Sequence, residues 1–195
     1  MHELLSKNLF LVKEHVGMFK AANNYDVYDP ETGSVIMECR EPKLGRLTQL
    51  LRFTDLKQNT PFDIHLTDTS GRPILRITRG VSILLSRVSV LDADDVEVGG
   101  FKQKLFSVGG AFDVLDQNES VLCSLRGKWT GWEFKFLAGD TEFARVTKKW
   151  AGVGKELFTS ADNYVLEISD SVAPDSRLRI LILAAVLCID MVVKE

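Results

Sequence analysis

The chain has 195 residues, 45% apolar and 26% charged, which is enough to build one substantial core, and a single domain over residues 1–195 is expected. A formal charge of −3, from 24 Lys and Arg against 27 Asp and Glu, gives no global attraction to nucleic acid or anionic lipid, so any such contact has to come from a local patch. Composition therefore disfavours a dedicated nucleic-acid-binding protein, and the odd, widely spaced Cys39, Cys123 and Cys188 fit reduced, buried thiols better than a disulfide framework or a zinc site.

The N-terminus, MHELLSKNLFLVKEHVG, has no basic region leading into an adequate apolar run with a small-residue cleavage site, so no secretory signal is read and a cytoplasmic location is expected. The Asn118-Glu119-Ser120 sequon is then idle. Leu9–Val12 and Val16–Lys20 read as the first strands. A device then recurs five times: an alternating run, a polar turn and a second alternating run. The turns fall at Asp29–Gly33, Asp68–Pro73, Asp92–Asp95, Asp116–Ser120 and Gly139-Asp140. The flanking pairs are Tyr25–Tyr28 with Val35–Cys39, Phe62–Leu66 with Ile74–Ile77, and Val88–Leu91 with Val96–Val98. Phe112–Leu115 with Val121–Leu125 and Trp132–Leu137 with Phe143–Val146 complete the set. Period-two alternation between Asp, Asn, Gly and Pro marks hairpins with one buried and one wet face. Phe101–Phe106 and Asn163–Ile168 add further strands, giving about a dozen, spaced too regularly for a parallel α/β sheet.

Two segments break the alternation. Lys43–Phe53 places Leu44, Leu47, Leu50 and Leu51 on one face and predicts a short amphipathic helix. The last twenty-one residues, DSRLRILILAAVLCIDMVVKE, predict a helix that starts after Pro174 with Asp175 or Ser176 as cap and is apolar on every side. Such a helix belongs in lipid or at the centre of a core. Its unbroken apolar run, Ile180–Ile189, rises only about 15 Å, against about 30 Å of hydrocarbon, and extension brings in Arg179 and Asp190 at a few kcal/mol each. Burial is the favoured reading. An antiparallel sheet of about twelve strands has to split or close, and the lumen of a closed one that size is poorly filled by side chains alone. A helix without a polar face suits that lumen.

No catalytic constellation emerges, and no enzyme activity is expected. His2, His15 and His65 have neither metal-ligand spacing nor a nucleophile beside them. Gly152-Val153-Gly154-Lys155 lacks the upstream glycine and the Ser or Thr that a phosphate loop requires. Basic residues beside aromatics are the stronger functional material: Lys148, Lys149 and Trp150 are adjacent, and Lys102, Lys104, Arg126, Lys128 and Trp129 fall in neighbouring hairpins. Lysine beside tryptophan suits a lipid headgroup region, at about 1 kcal/mol per charge. The competing reading makes these lysines the ordinary outward residues of half-wet strands and the tryptophans seam fillers.

Several stretches resemble the phospholipid scramblase family. They are Lys148–Gly152, Glu156–Tyr164 and Leu181–Asp190, with Cys39–Pro42, Arg52–Asp55, Thr60–Phe62, Phe112–Val114 and Gly131-Trp132. The resemblance covers roughly residues 8 to 195 and links the chain to the Tubby C-terminal and plant LURP-one-related domains. It implies a mainly β fold, a closed antiparallel barrel of about twelve strands enclosing a hydrophobic C-terminal helix, and a function at phospholipids. The expected partner is thus anionic phospholipid or a membrane surface, met from the cytoplasmic side through Lys102, Lys104, Lys128, Lys148, Lys149 and Trp150. The alternative is a soluble Tubby-like module for another phosphate-bearing ligand, nucleic acid or protein, without lipid transport. The oligomeric state stays open. The proline-rich leader and cysteine cluster of eukaryotic scramblases have no counterpart here, so acyl anchoring is not expected. No cofactor is expected either. By resemblance alone Ser160, Asp162 and Asn163 are candidate calcium ligands, yet Ser160 replaces an acid and Val165 replaces the family's turn-forming glycine, which weakens a site needing six to eight oxygens.

Overall fold

The computed structural model describes residues 2–14, 24–42, 60–81, 87–103, 112–128, 133–148 and 163–189, with Gly45 and Thr48. Its hairpins are built alike. In four of them an aspartate folds Oδ1 back onto backbone N–H groups of its own turn: Asp29 accepts from Glu31, Asp68 from Ser70 and Arg72, Asp92 from Asp94 and Val96, and Asp116 from Asn118 and Ser120, all at 2.8–3.1 Å. This is the local bonding that makes aspartate a turn residue. Near the close of each turn one residue takes positive φ: Gly33, Gly71, Asp95, Glu119 and, in the fifth, Gly139. Beside each turn the ladder slips by one residue, the bulge that a turn of this kind leaves.

Twelve strands result: β1 (Leu9–Glu14), β2 (Tyr25–Tyr28), β3 (Val35–Arg40), β4 (Phe62–Asp68), β5 (Pro73–Arg79), β6 (Arg87–Asp92), β7 (Glu97–Gln103), β8 (Phe112–Asp116), β9 (Val121–Lys128), β10 (Glu133–Ala138), β11 (Thr141–Thr147) and β12 (Asn163–Ile168). Each pairs antiparallel with its neighbours in sequence, and β12 returns to β1 through Phe10↔Leu166, closing the barrel. The fold expected from the sequence is the fold observed. One expectation changes. Val96–Val98 and Phe101 onward are not two strands but one, β7, continuous through Gly99-Gly100. Those glycines mark a close approach rather than a turn. A Cβ on Gly99 (φ 147°) would meet the Leu115 carbonyl at 2.2 Å and the Leu181 side chain at 3.2 Å, and one on Gly100 would meet the Val88 carbonyl at 2.1 Å. The expected strand Val16–Lys20 lies outside the described residues, as does the expected helix Lys43–Phe53 apart from Gly45 and Thr48.

The helix, α1 (Arg177–Leu187), starts on Ser176, whose Oγ accepts from the Leu178 N–H at 3.2 Å. Its successive residues Leu181–Leu187 are each no more than 1% exposed, so no side of it meets water. The inward-facing residues of the strands, from Phe10 and Val12 on β1 to Leu166 and Ile168 on β12, form one apolar cluster with it. A helix lying outside a sheet would keep one wet face; this one fills the lumen. Eleven residues rise about 16 Å, comparable to the height of tilted strands of this length. Burying Leu181, Ile182, Leu183, Val186 and Leu187 stabilises the fold by on the order of 10 kcal/mol. Among the described residues no helix is long and apolar enough to cross a membrane.

The barrel has two unlike ends. At the turn end lie the five hairpin turns, the 3-10 turn Glu3–Ser6 and the link Ser169–Ser176 into α1. At the opposite end odd-numbered strands finish, even-numbered strands begin, and α1 terminates. Arg179 locks the turn end. It is 2% exposed, and its guanidinium donates to the carbonyls of Val172 (2.7 Å), Ala173 (3.0 Å) and Lys7 (3.0 Å) and to Asn8 Oδ1 (2.7 Å), with longer bonds to Leu5 and Ser6. Asn8 in turn donates to Asp170. One side chain thereby ties the N-terminal segment, the link and the helix together. Burial pushes its pKa down, opposed by the nearby Asp170, and a guanidinium remains charged regardless.

Two outcomes follow from these contacts. Arg179→Lys keeps the charge but loses the planar fork that reaches several carbonyls at once, so stripping those acceptors lowers stability by about 3 kcal/mol, read as a reduced urea midpoint; an unchanged midpoint contradicts the locking role. Asp68 is held well below the usual carboxylate range by hydrogen bonds from Ser70 and Arg72. A group whose folded pKa is depressed contributes stability above its unfolded value, about 3.9, and loses it as pH falls through the folded value. From about pH 4 down to about pH 2, Asp68→Asn should therefore lose less stability than the parent in acid denaturation monitored by circular dichroism, and parallel losses contradict the assignment.

Candidate functional site

Alternation decides where the basic residues of the strands point. On β7, Phe101 is buried and Lys102 exposed, so Lys102 stands on the outer wall near the end of its strand. Its ladder neighbours are Arg87 on β6 and Asp113 on β8. Arg87 is drawn away toward Glu119 and Glu97, and Asp113 accepts from Ser124 Oγ at 2.5 Å. On β9, Leu125 is buried and Arg126 exposed; Lys128 ends the strand opposite Glu133. Among the described residues neither Lys102 nor Arg126 joins an ion pair.

Lys148 behaves differently. It follows Thr147 at the end of β11, on the inward side with Ala144 and Val146, and is half-buried. Its Nζ lies 5.2 Å from the centroid of the Tyr164 ring, within cation–π range. Tyr164 is itself 1% exposed and belongs to the core cluster. Lys148 thus stands at the rim over the lumen rather than on the outer wall. Arg79 makes a similar arrangement across the barrel, where β5 ends. It is buried, lies 4.6 Å from the Phe62 ring and donates to the Thr60 carbonyl at 2.7 Å.

Topology brings together what the sequence separates. Lys102, Lys128 and Lys148 close β7, β9 and β11, three strands that run the same way, so all three lie toward one end of the barrel. Successive members are two strands apart, roughly 10 Å along the wall. Lys104, Lys149 and Trp150 lie outside the described residues, as does the side chain of Lys128. The sequence reading missed Lys13, which faces outward on β1 at the same end. Its signal was present, since Lys13 alternates with the buried Val12, but nothing in the sequence announces that β1 closes against β12. Lys13 stands opposite Asn163 in that ladder. Of the candidate calcium ligands, Asn163 is buried at the start of β12, whereas Ser160 and Asp162 lie outside the described residues. A lysine as ladder partner is an unfavourable neighbour for a divalent cation.

Comparison with known proteins agrees with this architecture. The chain matches the family model "Scramblase" over residues 5–195. Among solved structures it is similar to the X-ray structure of a protein from Arabidopsis thaliana, at 15% identity and a TM-score of 0.51, over 93% of this chain and 90% of that one. That similarity is one of fold. No curated protein matches the chain.

Proposed function

The chain belongs to the scramblase family, and from that premise we propose that it binds anionic phospholipid headgroups through the basic and aromatic residues at the end of the barrel where β7, β9 and β11 finish. The observation that carries this reading is the convergence of Lys102, Lys128 and Lys148 on one end, from three hairpins separated in sequence. Lysines near an anionic leaflet contribute about 1 kcal/mol each, so a handful acting together gives useful binding where the chain as a whole, at −3, is repelled. Lys149 and Trp150 adjoin Lys148 in sequence and extend the set with a ring suited to the interface. Binding is favoured over lipid transport as the elementary activity. α1 is enclosed on every side, and a headgroup crossing about 30 Å of hydrocarbon requires a polar path.

The test is sedimentation with vesicles. The parent should pellet with phosphatidylcholine vesicles containing phosphatidylserine and remain in the supernatant with phosphatidylcholine alone. Lys148→Glu/Lys149→Glu should weaken that binding by at least about tenfold, from about 1 kcal/mol per charge, while Lys102→Glu, on the exposed outer wall, supplies a variant that leaves the lumen rim untouched and still weakens binding. Equal sedimentation of both variants with the parent sinks the headgroup reading.

A further inference from the structure

Acidic charge is concentrated at one end of the barrel. At the turn end, residues 2–8, 29–34, 68–72, 92–96, 116–120, 139–140 and 169–179 together contain twelve Asp and Glu and four Lys and Arg, a net charge of −8. The other described residues hold eleven Lys and Arg against ten Asp and Glu, a net charge of +1. Turn chemistry accounts for only part of the acidic set. Asp29, Asp68, Asp92 and Asp116 are held by backbone N–H groups, and Asp95 and Glu119 pair with Arg76 and Arg87. Glu31, Asp94, Asp140 and Asp175 are exposed, and among the described residues their carboxylates accept no hydrogen bond and form no ion pair. Such carboxylates contribute nothing to the fold that a neutral turn residue could not, yet they make one end of the barrel strongly negative.

We propose that the barrel stands end-on against an anionic lipid surface, with the strand ends bearing Lys102, Lys128 and Lys148 toward the lipid and the acidic turn end held away by repulsion. This rests on the headgroup-binding reading and adds an orientation with a cause. Tilted strands of four to eight residues separate the ends by roughly 16 Å, about two screening lengths of about 8 Å at physiological salt. In the end-on pose the turn-end charge is therefore screened from the surface; inverted, it lies within reach and is repelled. A net charge too small to steer the molecule hides an acidic end strong enough to orient it.

Two exposed valines report the pose: Val81, just past the end of β5 at the opposite end, is 74% exposed, and Val96, in a hairpin turn, is 57% exposed. The native thiols Cys39, Cys123 and Cys188 are buried, so Val81→Cys and Val96→Cys can each be labelled selectively with a fluorophore. With vesicles of phosphatidylcholine and phosphatidylserine carrying a headgroup nitroxide quencher, the label at 81 should lose most of its emission and the label at 96 almost none. In a Glu31→Lys/Asp94→Lys/Asp140→Lys/Asp175→Lys background, which brings the turn end to neutrality, quenching should appear at both positions. Sedimentation with equal or stronger quenching at 96 in the parent overturns the orientation while leaving headgroup binding intact. Quenching confined to 81 in the four-lysine background overturns the role given to the acidic end. No sedimentation at all overturns the headgroup reading and this inference together.

Discussion

Everything in this molecule depends on enclosing a helix that has no polar face. Leu181 to Leu187 are buried in unbroken succession, which a two-layer packing cannot provide, because there a helix turns one side to its partner and the other to water. Closure of the sheet solves the problem twice. It gives α1 a wall on every side, and it removes the unpaired strand edges that a twelve-stranded open sheet would leave. The wall yields to the helix at Gly99 on β7, where the absence of a Cβ lets the strand, the Leu115 carbonyl and Leu181 share one small space, while Gly100 beside it makes room for the Val88 carbonyl.

The helix has to be threaded as well as enclosed, and Arg179 does this at the turn end. A buried guanidinium is costly unless its donors are satisfied, and here they are satisfied by backbone carbonyls of two segments, Lys7 on one and Val172 and Ala173 on the other. Those segments come from opposite ends of the chain. The arginine therefore fixes where the N-terminal segment crosses and where the helix enters, and β1 and β12, which the same two segments lead from and into, are the pair that closes the barrel.

Much of this was legible in the sequence, and what was not has physical reasons. The hairpins were readable because four of the five announce their turn with an aspartate that bonds its own backbone, and their strands by alternation. The helix was readable because its apolar run is too short for a bilayer and too uniform for a surface. Gly99-Gly100 misled, since a glycine pair signals a break locally, and only the neighbouring strand carbonyls and Leu181 behind Gly99 explain it as a point of contact. Arg179 looked like an expense to be avoided; its partners are carbonyls, which leave no trace in a sequence. The basic residues could be nominated one by one, but their convergence depends on strand direction, and the inward turn of Lys148 over Tyr164 depends on alternation continuing past the end of β11.

The central claim is that α1 is the permanent filling of a closed barrel, and residue-resolved hydrogen exchange in detergent-free buffer tests it most directly. If the claim holds, the amides of Ile180–Leu187 exchange only through global unfolding and rank among the slowest in the molecule, with protection that matches the free energy of denaturation. Exchange of those amides at rates typical of exposed or fraying helices, while the strands remain protected, would show that the helix leaves the barrel and would contradict the account.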